Sequence, residues 1–460
     1  MATARKSQAK KTVKKTAAAV ASTLSPQPPK GTPAGTPIFA DPTFTPDPTK
    51  YKVAHASDTQ AYKEMDALIA AHKFLPLAFP SVPGVAEPVL NLADALGPGG
   101  AAIVSSIESA GKMVFHSAGD TGATQGPKTE NEVVDKLLAD FTGEAAGAAP
   151  RFFYNLGDIV YSFGEHKYYY DQFYDAYRNY PAPIFAIPGN HDGIVLPAPA
   201  GTGNPDDSLS AFLANFCTPG FAHSTDSVGI SRTTMIQPGV YFTLEAPFVR
   251  ILGLYSNIME NPGVISSTPD PKSGKPKFPN LSDVQIDYLT AALTRIKKQK
   301  FTGAVILAVH HPPYAFGKHS GSMVMLKEID AVCAAVGVWP HVVLSGHAHN
   351  YQRFTRTLGS RQIPFYVVGN GGHGLSKLNI DPTLRTPIPM PAFAQPERND
   401  SVTLNSYDFK NYGYLRIVVN TKLLHLEYHP ASDGTDTKTP DDSVTIDLAT
   451  GTLTTQTIQS

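Results

Sequence analysis

The feature that most constrains this chain is a short apolar run that ends in a polar cluster, repeated along residues 112–372. The runs are MVFHSAGD, RFFYNLGD, PIFAIPGNHD, VRILGLYSN, GAVILAVHH, HVVLSGHAH and PFYVVGNGG. Each run has the length and composition of a buried strand, and helical patterns alternate with them. The alternation predicts an α/β fold, in which ligands collect beyond the carboxyl ends of the strands.

The clearest helical pattern is LSDVQIDYLTAALTRIKKQK, where Ile286, Leu289, Leu293 and Ile296 share one face. Ser282 and Gln285 have the spacing of a capping box. Near the C-terminus the strand-like runs YGYLRIVVN, LLHLEYHP and SVTIDL follow one another without helices, which predicts antiparallel strands added to a second sheet. We therefore expect a two-sheet β core flanked by helices, an α/β/β/α sandwich.

Composition excludes several classes of protein. With 42% hydrophobic residues in 460, the chain can bury a large core. A formal net charge of −1 gives no bulk case for binding nucleic acid. Two cysteines cannot form a cysteine-based zinc site, and no apolar run is long enough to span a membrane. The sequence predicts no particular oligomeric state.

Changes in composition and hydrophobic pattern along the chain predict four segments. Residues 1–50 read as a disordered basic tail rich in Pro and Ala, residues 51–110 as a helical and linker extension, residues 111–435 as the catalytic domain, and residues 436–460 as a C-terminal strand and tail. The basic start followed by TAAAVASTLS also resembles a weak signal peptide. Export or a periplasmic location on the one hand, and a cytoplasmic location on the other, therefore both stay open.

Five of the strand ends carry side chains that bind metals. In chain order they supply Asp120, then Asp158 and Tyr161, then Asn190, His191 and Asp192, then His310 and His311, then His347 and His349. One such residue at a strand end is usually structural, but five clusters in order can meet at one point. Carboxylates mixed with imidazoles suit Fe, Zn or Mn rather than Ca or Mg.

These motifs resemble a known family. The series GDxG, GDxxY, GNHD, VHxPxY and GHxH, from about Met113 to about His429, is similar to the purple acid phosphatase branch of the calcineurin-like metallophosphoesterases. The resemblance implies the metallophosphoesterase-type two-sheet fold. It also addresses a gap in the first motif, since many two-metal phosphoesterases have Asp-x-His where this chain has Asp120-Thr121-Gly122. In the purple acid branch a tyrosine replaces that histidine, and Tyr161 matches it. A phenolate is a hard anionic donor that favours ferric iron.

The resemblance implies a role for each matching residue. Fe(III) would be held by Asp120, Asp158, Tyr161 and His349, and a divalent ion (Zn, Fe or Mn) by Asp158, Asn190, His310 and His347. His191 would protonate the leaving group, with Asp192 orienting it. His319 would be either a second histidine facing the phosphate or an exposed loop residue, and the sequence leaves both open. Arg353 and His373 lie near these motifs without an expected role, and a structural salt bridge is the default for Arg353.

The function implied is that of an acid phosphatase, which hydrolyses small-molecule phosphate monoesters by in-line attack of a hydroxide held at the dinuclear centre. Two alternatives remain. The same centre could cleave phosphodiesters or nucleotide pyrophosphates, since surrounding loops select the substrate. A non-catalytic binding protein on the same scaffold is the other alternative.

Overall fold

The computed structural model describes residues 35–41, 56–70, 76–80, 86–124, 126–142, 148–196, 206–269, 272–378, 400–431 and 440–458. The α-helices in these residues are α1 (Ala56–Ala70), α2 (Leu92–Ala95), α3 (Gly100–Ala110), α4 (Lys128–Ala139), α5 (Asp175–Tyr177), α6 (Asn190–Gly193), α7 (Ser210–Phe216), α8 (Val284–Gln299) and α9 (Met323–Val336). The strands are β1 (Val89–Asn91), β2 (Lys112–Ala118), β3 (Phe153–Asn155), β4 (Ile184–Ala186), β5 (Phe242–Ala246), β6 (Val249–Leu254), β7 (Ala304–Val309), β8 (Val342–Ser345), β9 (Tyr351–Leu358), β10 (Arg361–Val368), β11 (Asp400–Asp408), β12 (Gly413–Asn420), β13 (Leu423–Pro430), β14 (Asp442–Asp447) and β15 (Thr452–Thr454).

The strands form two mixed sheets. One has eight strands in the order β1-β5-β6-β7-β8-β10-β9-β11, and the other has seven in the order β15-β14-β13-β12-β2-β3-β4. Strand β10 contacts β12 and β15, so the two sheets meet face to face. Helix α8 packs on β6 of the larger sheet, and α4 packs on β12 of the smaller one. The predicted α/β class, with a two-sheet core flanked by helices, is confirmed.

Each sheet has a parallel centre. Strands β6, β7, β8 and β10 run parallel in the larger sheet, and β2, β3 and β4 run parallel in the smaller sheet. All six residues of β7 are buried, as expected for a parallel strand covered on both faces. The polar clusters predicted at strand ends therefore follow parallel strands of both sheets.

The C-terminal strands behave as the sequence predicts. Strand β12 pairs antiparallel with β2, β13 with β12, and β14 with β13, which extends the smaller sheet. Helix α8 also forms where the periodicity predicts it, and Leu289, Leu293 and Ile296 are buried. The predicted capping box is wrong, however. The helix begins after Asp283, and the Gln285 amide instead binds both backbone polar groups of Tyr255.

The N-terminal residues that the structure describes pack on the body of the protein. The Ile38 amide donates to Thr233 Oγ1 at 3.1 Å, the Thr233 amide donates to the Ile38 carbonyl at 2.9 Å, and the Asp41 amide donates to the Arg178 carbonyl at 2.7 Å. Strand β1 is an edge strand of the larger sheet, parallel to β5. Most of the predicted tail lies outside the described residues, and the division into four segments stays a prediction. Within the described part of the chain, every helix is too short or too polar to span a bilayer.

Candidate metal centre

The loops after β2, β3 and β8 share one local conformation. In each, a glycine precedes a residue with positive φ, namely Asp120 at 56°, Asp158 at 55° and His347 at 68°. Residues other than glycine rarely adopt a positive φ, and backbone strain of this kind concentrates at functional sites. The preceding glycines are needed because the loops touch: a Cβ on Gly346 would lie 2.5 Å from Asp120 Oδ2.

The first group of side chains surrounds the Tyr161 hydroxyl. This hydroxyl lies 2.9 Å from both Asp120 Oδ1 and Asp158 Oδ2, and 3.4 Å from His349 Nε2. His349 Nε2 is 3.3 Å from Asp120 Oδ1. Both carboxylates and the phenol are buried. Two carboxylates, a phenol and an imidazole thus present their donor atoms to one point.

The second group shares Asp158 with the first. Asn190 Oδ1 lies 3.1 Å from His310 Nε2 and 3.0 Å from His347 Nδ1. His310 Nε2 is in turn 3.3 Å from Asp158 Oδ2. All four side chains are buried. The side chains of Asp158, Asn190, His310 and His347 therefore converge next to the first group, with Asp158 common to both.

The three imidazoles are oriented by backbone carbonyls outside these groups. His310 Nδ1 faces the Leu156 carbonyl at 2.9 Å, His347 Nε2 faces that of Glu260 at 2.7 Å, and His349 Nδ1 faces that of Gly374 at 3.1 Å. A carbonyl only accepts hydrogen bonds, so each of these nitrogens carries the proton. In the neutral form of each ring, the other nitrogen then points its lone pair inward, as in metal sites where outer partners fix the tautomer.

The lack of a histidine at position 122 has a steric basis. Even a Cβ on Gly122 would lie 2.5 Å from Gln172 Oε1 and 2.6 Å from the Ile159 carbonyl oxygen, so the loop after β2 has no space for an imidazole. The Tyr161 ring occupies the adjacent space, and Gln172 holds its backbone by accepting from the amide at 2.9 Å and donating to the carbonyl at 2.6 Å.

The electrostatics of the two groups favour cations. Burial, together with Asp120 and Asp158, raises the pKa of Tyr161 well above its ordinary value. Burial lowers the pKa of His310 but the Asp158 carboxylate outweighs it, so that this pKa rises to about 9. Such a concentration of negative charge attracts positive ions, and a cation beside the phenol would favour its phenolate form. The donor set, the tautomers and the charge all fit a pair of metal ions.

His191 is oriented differently from the sequence-based expectation. Its Nδ1 donates to the Ser162 carbonyl at 2.8 Å, and its amide donates to Asp158 Oδ1 at 2.9 Å. The Asp192 carboxylate instead accepts from the amides of Ile159 at 3.0 Å and Gly189 at 2.8 Å. The idea that Asp192 orients His191 is therefore corrected: Asp192 joins the loops after β3 and β4, and the Ser162 carbonyl fixes the ring.

His319 and His311 differ in their position relative to the metal-binding groups. His319 lies at the site, with its ring centre 4.6 Å from that of His347 and 5.4 Å from that of His349. His311 points elsewhere, since its Nδ1 meets Ser256 Oγ at 2.7 Å and its Nε2 meets the Met259 carbonyl at 2.5 Å.

The structure also defines the contacts of His373 and Arg353, which lie near the motifs. His373 stacks on Tyr161 with ring centres 3.7 Å apart. Arg353 lies outside the metal-binding groups and forms a two-pronged ion pair with Asp442, which is the salt bridge expected by default.

Sequence reasoning missed Glu260. Its carboxylate Oε2 lies 3.5 Å from His319 Nδ1, its Oε1 lies 3.5 Å from Asn190 Nδ2, and its carbonyl orients His347. Glu260 follows β6, whose run VRILGLYSN is one of the strand ends that the sequence indicates, but it lies six residues beyond the strand. Donor atoms of Glu260, His319 and His347 also lie close enough together to hold an ion.

Comparison with known proteins gives one family. Residues 51–351 match the family model described as calcineurin-like phosphoesterase. No curated protein matches the sequence.

Three solved structures resemble this fold at low identity. The first is GAP50, described as the anchor in the inner membrane complex of Plasmodium, with 10% identity, a TM-score of 0.45, and coverage of 70% of this chain and 86% of that chain. The second is PhoD, with 14% identity, a TM-score of 0.41, and coverage of 76% of this chain and 72% of that one. A dimetal phosphatase from Danio rerio has 12% identity, a TM-score of 0.40, and coverage of 73% and 99% respectively. These similarities are too low to assign an activity.

Proposed function

The chain belongs to the calcineurin-like phosphoesterase family, and from this premise we propose that it removes phosphate from small-molecule monoesters at a centre of one ferric and one divalent ion. Metal-dependent phosphoester hydrolysis is common to the family. The finer assignment depends on one observation, the Tyr161 hydroxyl lying 2.9 Å from both Asp120 and Asp158 while Gly122 leaves no space for an imidazole.

The ligands would divide between the ions as follows. Asp120, Asp158, Tyr161 and His349 would hold the ferric ion, and Asp158, Asn190, His310 and His347 would hold the divalent ion (Zn, Fe or Mn). Such a pair of ions supplies a water of lowered pKa, a clamp on the phosphoryl oxygens and stabilisation of charge during in-line displacement. The anionic phenolate is the donor that favours Fe(III) over a divalent ion at the first position.

The protein's own groups complete the reaction. Because the Ser162 carbonyl holds His191 Nδ1–H, the other ring nitrogen of the imidazolium is the one that can give a proton to the departing oxygen. His319, which is 6% exposed and lies beside His347 and His349, would face a bound phosphate. Asp192 contributes by fixing the loops, since its carboxylate bonds backbone amides.

A visible absorption spectrum combined with two substitutions tests the ferric assignment. Tyrosinate bound to Fe(III) gives a broad charge-transfer band, so the purified protein should be coloured and Tyr161→Phe should bleach it. The matched control is Tyr154→Phe, because the Tyr154 hydroxyl is also buried but has no hydrogen-bond partner among the described residues. A colourless, iron-free yet active wild-type protein would contradict the assignment and point to a Zn or Mn enzyme.

Substrate choice is tested separately. The wild-type protein should hydrolyse p-nitrophenyl phosphate faster than bis(p-nitrophenyl) phosphate. The opposite order would make it a phosphodiesterase or nucleotide pyrophosphatase on the same centre. Metal analysis that finds no bound ions, together with no turnover of either ester, would support the non-catalytic alternative.

A further inference from the structure

Four aromatic rings form a continuous series of contacts beside the metal-binding groups. Tyr62 stacks on His191 with ring centres 4.4 Å apart and planes 27° from parallel. His191 contacts Tyr161 at 4.2 Å, and Tyr161 stacks on His373 at 3.7 Å. The His191 imidazole thus contacts two tyrosine rings: it is stacked on Tyr62, and Tyr161 is tilted against it at 48°.

The Tyr62 hydroxyl adds a second fixed point. It donates a hydrogen bond to Glu260 Oε1, the carboxylate oxygen that also faces His191 Nε2 at 4.0 Å. The other oxygen of Glu260 faces His319 Nδ1 at 3.5 Å. With Nδ1 held by the Ser162 carbonyl, stacking and hydrogen bonding together leave the His191 ring one orientation, with Nε2 on the Glu260 side.

Helix α1 carries Tyr62 to this position from far away in the sequence. Tyr62 and the buried Met65 are one turn apart on the face toward the body, whereas Lys63, Glu64 and Leu68 are exposed. The chain after the helix is fastened as well: Asn257 exchanges two hydrogen bonds with the backbone of Leu77, at 2.9 and 2.8 Å. The contact of Tyr62 with His191 is therefore part of a packed interface.

We propose that Tyr62 is a positioning residue, which holds the His191 imidazole with Nε2 directed to the oxygen that leaves phosphorus. The inference rests on the proposed function, in which His191 is the proton donor. As the phosphorus–oxygen bond breaks, its electron pair stays on the departing oxygen, the Nε2–H bond breaks, and that proton forms the new O–H bond of the alcohol. Tyr62 itself takes no part in the transfer.

The dependence on the leaving group separates positioning from general damage. A phenyl or alkyl phosphate needs the proton, whereas the p-nitrophenolate ion leaves readily without it. Tyr62→Leu should lower kcat at least about 10-fold for phenyl phosphate and less than about 3-fold for p-nitrophenyl phosphate, with little change in KM. Tyr62→Phe keeps the ring and should recover most of the lost turnover. Equal losses on both substrates, or no loss in Tyr62→Leu, would overturn the proposal.

A second measurement needs no turnover. Diethyl pyrocarbonate modifies accessible neutral imidazoles, and peptide mass spectrometry locates the product. Removing the ring that covers His191 should raise its modification rate several-fold in Tyr62→Leu, while Tyr62→Phe stays close to wild type. An unchanged rate in Tyr62→Leu overturns the positioning role. If wild-type protein hydrolyses no ester, the proposed function fails. The labelling then still decides whether Tyr62 covers the His191 ring.

Two controls guard against trivial effects. Leu68→Ala alters the exposed side of the same helix and should change neither turnover nor labelling, because Leu68 is 43% exposed. The melting temperature and the metal content should match those of the wild type in all Tyr62 variants. Tyr62→Met provides the same comparison should the leucine variant unfold.

Discussion

At the scale of single residues, the sequence predicts which side chains supply the donor atoms but not which groups orient them. The strand-end motifs identify Asp120, Asp158, Tyr161 and the histidines as candidate ligands because ligand chemistry restricts which residue types can serve. The partners that orient those ligands are mostly backbone carbonyls, such as those of Ser162 and Leu156. Every residue has a carbonyl, so no residue type marks such a partner in a sequence.

The division of ligands between two ions leads to a prediction at this scale. Asn190 Oδ1 lies within 3.1 Å of His310 Nε2 and within 3.0 Å of His347 Nδ1, but Asn190 is not part of the group around Tyr161. Asn190→Ala should therefore remove the divalent ion and reduce turnover by roughly 100-fold or more, while the colour remains. Metal analysis and the visible spectrum measure both. The exposed Asn91→Ala should alter neither, and bleaching of Asn190→Ala would show that the partition is wrong.

At the scale of elements, the strands and their ends are predictable, but the contacts between loops are not. The apolar runs mark β2, β3, β4, β7 and β8 because a parallel strand buried on both faces must be continuously apolar. The capping box of α8 failed because the Gln285 side chain binds the Tyr255 backbone, a residue 30 positions away. Local spacing carries no information on such a long-range partner.

Close packing of the strand-end loops gives a prediction for a glycine. A Cβ on Gly189 would overlap the amide nitrogen and a carboxylate oxygen of Asp158, and would lie 2.7 Å from its Cγ. Gly189→Ala should therefore displace the carboxylate shared by both groups, lower the metal content and cost about 1–3 kcal/mol of unfolding free energy.

Metal analysis and chemical denaturation measure these effects of Gly189→Ala. The control is Gly374→Ala, in the same neighbourhood, where an added Cβ meets no atom of the described residues within 4 Å. Equal behaviour of the two variants would contradict the steric argument.

At the scale of the whole molecule, the order of strands in each sheet and the path of α1 could not be predicted. Strand order depends on pairings between distant segments, such as β1 with β5 and β12 with β2, and hydrophobic patterns are the same for many pairings. Tyr62 lies against His191 because the path of the chain brings α1 to the metal-binding groups. The sequence of α1 contains nothing that indicates a site.

The two sheets are linked by an ion pair whose effect should depend on pH. Arg353 on β9 of the larger sheet binds Asp442 on β14 of the smaller sheet, through Nε at 2.7 Å and Nη2 at 2.9 Å. Burial raises the pKa of Asp442, but the hydrogen bonds from Arg353 and Tyr351 outweigh it, so the pKa lies below the ordinary value. A lowered folded-state pKa contributes stability above the unfolded-state pKa and loses it as pH falls through the folded-state pKa.

Asp442→Asn should accordingly lower the unfolding free energy by about 1.5–3 kcal/mol at pH 7, and the difference from wild type should shrink as the pH falls below about 4. Urea denaturation across this pH range measures it. Asp447 is not a suitable control because its hydrogen bonds to Thr450 also lower its pKa. Asp287→Asn, on the exposed surface of α8, is the control. If the stability difference between Asp442→Asn and the wild type stays constant with pH, the linkage is wrong.

The absence of space at Gly122 also bears on how such a centre can evolve. A single substitution that placed histidine there would collide with Gln172 and with the backbone of Ile159, and Gln172 also holds the backbone of Tyr161. A chain with this loop can take up histidine at position 122 only after these neighbours have changed. The choice between an imidazole at position 122 and a phenol at position 161 is therefore not open to a single substitution, which ties the type of donor to the packing of the whole loop.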